Sequence, residues 1–332
     1  MFIQNINGGI KLKQKISLVM IMLIIMATLA ACTGEKVQPQ TPATPQATEQ
    51  PKQESILPTT DRAGNEITIP AEINKIISIS PSNTEMIVDL GFGDKLVAVD
   101  KYSGDIEGIP ENIPYFDIMN PDVEQLVALE PDIIYATGMS MSDGNDPFKP
   151  IKDLGITVVY IPSSDSIEGI YEDIIFIADS LQVSDKGQSL VDNMKIKVAE
   201  FKEVASTIEN KKTVYFEIAG APKLYSFGSG VFLNEMIELL GADNIMADQE
   251  RWIAVSDEII VAANPDIILT NVDYIENAVD EIKKRAGWEN VTAIKNNDVY
   301  YIDRDASSLS NHNIVNALDQ MAQVIYPEVF NK

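Results

Sequence analysis

Glu124-Gln125-Leu126-Val127-Ala128-Leu129-Glu130-Pro131-Asp132-Ile133-Ile134 and Glu258-Ile259-Ile260-Val261-Ala262-Ala263-Asn264-Pro265-Asp266-Ile267-Ile268 are one pattern written twice, 134 residues apart and without a gap. Each copy reads as a short helical run stopped by a proline, which cannot continue a helix and restricts the residue before it. Asp-Ile-Ile then opens a buried strand. Two further blocks recur in the same order. Thr84-Glu85-Met86-Ile87-Val88-Asp89-Leu90-Gly91 matches Asn234-Glu235-Met236-Ile237-Glu238-Leu239-Leu240-Gly241, and Thr157–Ile161 matches Asp298–Ile302. Apolar helix and strand patterns recur by chance one at a time. Three in the same order predict two related lobes.

Outward from the first copy, strands and helices alternate. Strands are expected at Ile76–Ile79, Leu96–Val99, Ile133–Ala136 and Val158–Ile161. Helices are expected at Thr84–Leu90, ended by Gly91, at Glu124–Leu129, and at Pro147–Leu154, ended by Gly155. Asp61–Asn65 reads as a turn between two short strands. This alternation points to α/β architecture with parallel sheets. Between the halves, Leu190, Met194, Val198, Phe201 and Ala205 fall on one helical face within Asp185–Thr207. A helix of that length spans roughly 33 Å at 1.5 Å per residue and makes a stiff connection.

The amino-terminal stretch sets the compartment. Lys11, Lys13 and Lys15 precede an uncharged run from Ile16 to Ala31, the layout of a secretory signal. The run is short of the roughly 20 residues that span a bilayer. It ends in Leu29-Ala30-Ala31-Cys32, which resembles a bacterial lipobox whose cysteine is acylated and becomes the first mature residue. Cys32 is the single cysteine, so no intramolecular disulfide is expected. Residues 33–57, rich in proline, glutamine and threonine, read as an extended tether. The expected organisation is a signal over 1–31, lipidated cysteine and linker over 32–57, a first lobe over 58–184, an interlobe helix over 185–207 and a second lobe over 208–332.

Composition excludes several classes of function. Asp and Glu number 50 against 25 Lys and Arg, for a formal charge of −25. Loss of residues 1–31 removes three lysines and no acid, taking it to −28. Nucleic acid and anionic membrane surfaces need basic protein, so neither is expected as a partner beyond a lipid anchor. High net charge favours a soluble monomer. Hydrolysis by a Ser-His-Asp set would have to use His312, the only histidine, and no Gly-x-Ser-x-Gly elbow, Walker loop or Gly-x-Gly-x-x-Gly is present. One histidine and one lipidated cysteine do not build an ordinary zinc site. An enzyme and an intrinsic metal or cofactor are therefore not expected.

From about residue 58 to 331 the chain resembles the periplasmic-binding-protein family for iron-siderophores, haem and cobalamin. The pieces are Pro81-Ser82-Asn83-Thr84-Glu85 after the first strand, Val123-Glu124 with Ala128–Asp132, Trp252–Glu258, and Asn316–Pro327. The resemblance implies two Rossmann-like lobes joined by a single long α-helix, the helical-backbone metal receptor type, with a metal chelate held in the cleft between them. It implies an ABC permease dimer with its ATPase as partner, and an exported protein anchored by lipid to the outer face of the cell membrane. Tyr102 occupies the loop where cobalamin-type members carry a cleft tyrosine, and Trp252 matches a ligand-stacking tryptophan. Met139 and Met141, on the loop after the Ile133–Ala136 strand, offer soft contact surface. Arg251 and Arg304 are candidates for an anionic chelate oxygen, the alternative being local ion pairs with Glu250, Asp303 or Asp305. His312 either lines the cleft or bonds within a loop. The arginines and His312 put a ferric siderophore first, Tyr102 and Trp252 put a cobamide second, and haem is third. Where the family often has an arginine-proline-rich stretch before its last helix, this chain has Ser307-Ser308-Leu309-Ser310-Asn311-His312-Asn313. Glu124 and Glu258 open equivalent helices. Relatives use glutamates at these motif positions to meet permease arginines, which assigns the pair to permease docking; the alternative is a capping role near Asp122 and Ser256.

Overall fold

A computed structural model of the chain describes residues 57–140 and 146–330. The signal, Cys32 and most of the linker lie outside the described residues, as does Met141. Among the described residues no helix is long and apolar enough to cross a membrane.

The first half runs β1 (Ile76–Ser78), α1 (Pro81–Ile87), β2 (Leu96–Asp100), β3 (Tyr115–Phe116), α2 (Val123–Ala128), β4 (Ile133–Ala136), α3 (Lys149–Asp153) and β5 (Thr157–Tyr160). Its five strands order as β3-β2-β1-β4-β5, every neighbouring pair parallel. Such strands are covered on both faces, and β1 and β4 are buried at every residue. Gly91 ends the turn after α1 at φ 91°, a left-handed conformation that glycine adopts without strain.

Two helices follow, α4 (Ile167–Ser180) and α5 (Ser184–Ala205). The second half then runs β6 (Thr213–Glu217), β7 (Leu224–Phe227), α6 (Phe232–Leu239), β8 (Asp243–Asn244), β9 (Trp252–Val255), α7 (Asp257–Ala263), β10 (Ile267–Thr270), α8 (Ala278–Lys283), α9 (Thr292–Asn296) and β11 (Val299–Tyr301). It closes with α10 (Arg304–Ser308), α11 (Ile314–Ile325) and α12 (Pro327–Phe330). Its main sheet orders as β11-β10-β6-β8, again all parallel. Read from the other edge, β5-β4-β1-β2 and β11-β10-β6-β8 are the same topology. The sequence repeat therefore corresponds to a repeated fold: α2 and β4 stand where α7 and β10 stand, and α1 where α6 stands. The architecture is two-lobed α/β with long helices between the lobes.

The helix expected between the halves is α5, with Met194 and Ala205 buried and Leu190, Val198 and Phe201 partly so. It is not a lone rod. A second helix not among those expected, α4, packs along α5 and carries Ile167, Ile170, Ile174 and Ile177 into the core. The approach is close at Gly187, where a β-carbon would collide with Ala178. The amino end of α4 touches the second half, its Ile167 N–H donating to Glu235 at 2.8 Å.

Candidate functional site

Parallel α/β sheets hold ligands beyond the carboxyl ends of their strands. A cavity of about 650 Å³ lies at that position between the halves. The first half contributes to it from beyond all five of its strands: Ser80 to Asp89 after β1, Tyr102 to Glu107 after β2, Ile118 after β3, Met139 after β4 and Ser163 after β5. The second half contributes only from beyond β11, through Arg304, Asp305, Ser308 to Ser310 and Asn313.

Among the residues singled out from the sequence, Tyr102, Met139 and Arg304 line this cavity. Tyr102 and Met139 are 60% and 55% exposed, so their rings and thioether are open to a ligand. The loop carrying Tyr102 is fixed by Asp100, which is fully buried at the end of β2. Its carboxylate accepts from the Tyr102 N–H at 2.8 Å and from the Ser103 hydroxyl. Burial pushes the Asp100 carboxyl above its ordinary range, and these hydrogen bonds pull it part of the way back.

Arg304 donates to Asp305 at 2.8 Å and sits 3.1 Å from Asp273. The ion-pair alternative therefore holds for its guanidinium. Arg251 lies outside the cavity lining, at φ 60°, and makes a two-pronged bond to Asp165 of the first half at 2.8 and 3.0 Å. Trp252 is also outside the lining. It is half-exposed beside that interlobe pair, its edge against Phe227 with ring centroids 6.0 Å apart. His312 is buried, and its Nε2 meets Asp89 at 2.5 Å across the halves, which holds the Asp89 carboxyl below its ordinary range.

His312 belongs to a clasp that was not legible in the sequence. Ser82 donates to the Ser310 carbonyl at 2.8 Å, and Glu85 accepts from Asn311 and Asn313 at 2.6 and 2.9 Å. The stretch that departs from the family pattern thus reaches over to α1 at the back of the cavity. Both pieces stand out in the sequence, but partners 226 and 228 residues apart leave no local signal.

Glu124 and Glu258 are exposed in the first turns of α2 and α7. Neither is the residue that caps its helix: Asp122 accepts the Gln125 N–H at 3.0 Å, and no side chain caps α7. Each helix precedes a parallel strand and runs back against the sheet, so its start lies at the strands' carboxyl end, the side of the cavity. Among the described residues there is no group of three or more His, Cys, Asp or Glu side chains that could hold a metal ion.

The periplasmic binding protein family model matches residues 76–306. The chain belongs to the periplasmic binding protein family. This periplasmic binding protein is 33% identical over 317 residues to an uncharacterised ABC transporter substrate-binding lipoprotein of Bacillus subtilis, YvrC, a match covering 93% of this chain and 97% of that one. It is 28% identical over 220 residues to the vitamin B12-binding protein of Yersinia pestis, covering 65% and 75%. The crystal structure of a possible iron-binding (periplasmic solute-binding) protein from Staphylococcus epidermidis superposes with a TM-score of 0.68 at 30% identity, covering 76% of this chain and 99% of that one. The protein is accordingly a non-catalytic substrate-binding component of ABC import. Family membership implies a cognate permease and ATPase, and an exported, membrane-anchored location.

Proposed function

We propose that this receptor captures an iron chelate of the siderophore type outside the cytoplasm and hands it to a dimeric permease. Cys32 is the lipid anchor on the outer face of the cell membrane, and residues 58–184 and 208–332 act as lobes about the 185–207 helix. The observation that carries the reading is the cavity beyond the carboxyl ends of all five first-half strands, faced by Arg304 to Asn313. Concave sites with apolar walls and a few polar groups suit a bulky chelate. Tyr102 and Met139 supply ring and thioether contact from the first half, and Trp252 supplies a flat wall where the ligand extends past the cavity. Arg251 and His312 are assigned to the ligand's periphery, and Met141, which lies outside the described residues, is kept as a further soft contact. The 30% identical possible iron-binding neighbour favours iron. A cobamide is the second reading, favoured by Tyr102, Trp252 and the 28% identical vitamin B12-binding relative.

Glu124 and Glu258 are proposed to dock on the permease. Their exposure and their equivalent positions on repeated helices support the assignment. Two separated carboxylates on a pseudo-symmetric protein suit a two-fold membrane partner.

Loading residues 33–332 with a ferric siderophore, cyanocobalamin or haemin, desalting, and recording absorbance tests the function. Retention of the iron chelate supports the first reading and retention of cyanocobalamin the second. Recovery of colourless protein from all three contradicts both.

A further inference from the structure

The clasp and the ion pairs account for most of the charge around the cavity. Among the described residues Arg304 is the only basic side chain lining it, and its guanidinium already serves Asp305 and Asp273. Lys101 and Arg251 are also engaged, Lys101 with Asp117 at 2.6 Å and with the Tyr102 ring at 5.0 Å, and Arg251 with Asp165. On the acidic side, Glu85 and Asp89 are held by Asn311, Asn313 and His312. Asp105 and Glu107 remain. Both line the cavity on the loop after β2, both are exposed, and neither has a hydrogen-bond or ion-pair partner among the described residues.

We propose that Asp105 and Glu107 form a charge-selecting lip, so that the chelate taken into this cavity carries zero or positive net charge. The inference rests on the receptor reading above and narrows its ligand. A polyanionic chelate entering here would face two free carboxylates with no free cation to compensate. Like charges brought together in a concave, partly dry site repel more strongly than on an open surface. A chelate with a peripheral ammonium would instead meet two unpaired acceptors on the loop that carries Tyr102, whose ring already takes the Lys101 ammonium at 5.0 Å. A neutral chelate would be held by the ring and thioether surfaces alone. Haem with two carboxylates and tricatecholate or citrate-type ferric chelates are thereby disfavoured. Hydroxamate-type ferric chelates and neutral corrinoids are favoured.

The test uses one chelate in three charge states. A linear ferric trihydroxamate with a free terminal amine is compared with its acetylated and succinylated forms, which are cationic, neutral and anionic around the same metal centre. Ferric tricatecholate, cyanocobalamin and haemin complete the set. Affinities are measured by fluorescence titration at low and high salt, with wild type and with Asp105→Asn/Glu107→Gln. The expected order is cationic, then neutral, then anionic. In the double variant the cationic form should weaken by roughly fivefold to tenfold and its salt dependence should flatten, with the neutral form unmoved. Binding of cyanocobalamin with exclusion of haemin and tricatecholate also supports the proposal. Tighter binding of any anionic member than of its neutral counterpart, or of haemin or ferric tricatecholate over every neutral chelate, overturns the charge selection while leaving the receptor reading intact. An unchanged affinity for the cationic form in the double variant removes Asp105 and Glu107 from that role. Failure of every chelate to bind overturns the receptor reading and this inference with it.

Discussion

The two halves share a fold and divide the work unequally. In the first half the strand after β2 stays in the sheet: β3 pairs parallel with β2. In the second half its counterpart β9 leaves, pairing antiparallel with β7, a strand inserted between β6 and α6 that has no partner element in the first half. Strand-end loops of the first half open onto the cavity. Those of the second half bind one another: Gly220 N–H donates to the Tyr274 hydroxyl, and Asn271 donates to Ser307 and Ser308. A repeated frame thus leaves one half free to build the pocket, while the other closes it with a single segment.

Each half buries a carboxylate against an arginine, Asp173 with Arg62 in the first and Glu217 with Arg285 in the second, and breaking the second pair should cost most. The second half buries Glu217 at the end of β6 against Arg285, at 2.7 and 3.0 Å, with Arg285 stacked over Trp288. Glu217 is 1% exposed. Arg285→Ala should strand that carboxylate and cost about 3–5 kcal/mol in urea unfolding. A loss under about 1 kcal/mol would break the contrast with Asp100 of the first half, whose partners are neutral.

The docking pair sharpens the comparison where the halves are alike. Glu124→Ala/Glu258→Ala should lower uptake into reconstituted vesicles by at least about tenfold, as expected for two interfacial charge pairs. Chelate affinity in solution should stay within about twofold of wild type. Either single variant alone should lose less, and one carrying the whole effect would end the symmetry.

For the walls, Tyr102→Ala should weaken chelate binding about tenfold and Trp252→Ala about threefold, since an exposed aromatic in a site is worth about 1 kcal/mol. Equal losses would mean that the second half lines the site as fully as the first. Trp288 is fully buried, and loss of ligand-induced quenching in Trp252→Phe would assign the signal to Trp252.

Smaller effects follow from the helix caps and from burial of Asp100. Asp122→Ala should cost about 1 kcal/mol, because the side chain caps α2. Ser256→Ala should cost only a few tenths, because no side chain caps α7. Asp100 has a folded-state pKa raised above its ordinary 3.8. Between the unfolded value and the raised one the folded state binds more protons, so wild type loses stability as pH rises through that window. Asp100→Asn should lack this slope, and unfolding midpoints measured from pH 4 to 7 should diverge in the variant's favour. Parallel midpoints would contradict it.

How much of this was legible in the sequence follows from the same asymmetry. The eleven-residue repeat carried the frame, because helix stop and strand start are local signals, and β4 and β10 fell where the repeat put them. The α4 helix was equally local, its Ile167, Ile170, Ile174 and Ile177 spaced for one face, yet it lies outside the repeat that directed attention. Tyr102 and Met139 were reachable because strand-end loops are ligand loops in such sheets. The engagements of Arg251, Arg304 and His312 were not, since each depends on carboxylates from other elements, Asp165, Asp273 and Asp89. For the same reason sequence alone does not show that the arginines are paired, and Asp105 and Glu107 carry no distinguishing signal in so acidic a chain.

If the proposed receptor holds its chelate in the cavity between the halves, one chelate binds per chain and the cavity walls set its affinity. Absorbance titration of desalted residues 33–332 with the retained chelate, for wild type and Tyr102→Ala/Met139→Ala, tests it most directly. The expected result is one chelate per chain in wild type, with affinity lowered at least about tenfold in the double variant and the unfolding midpoint unchanged. No retained chelate, or one-to-one retention with unaltered affinity in the double variant, would contradict it.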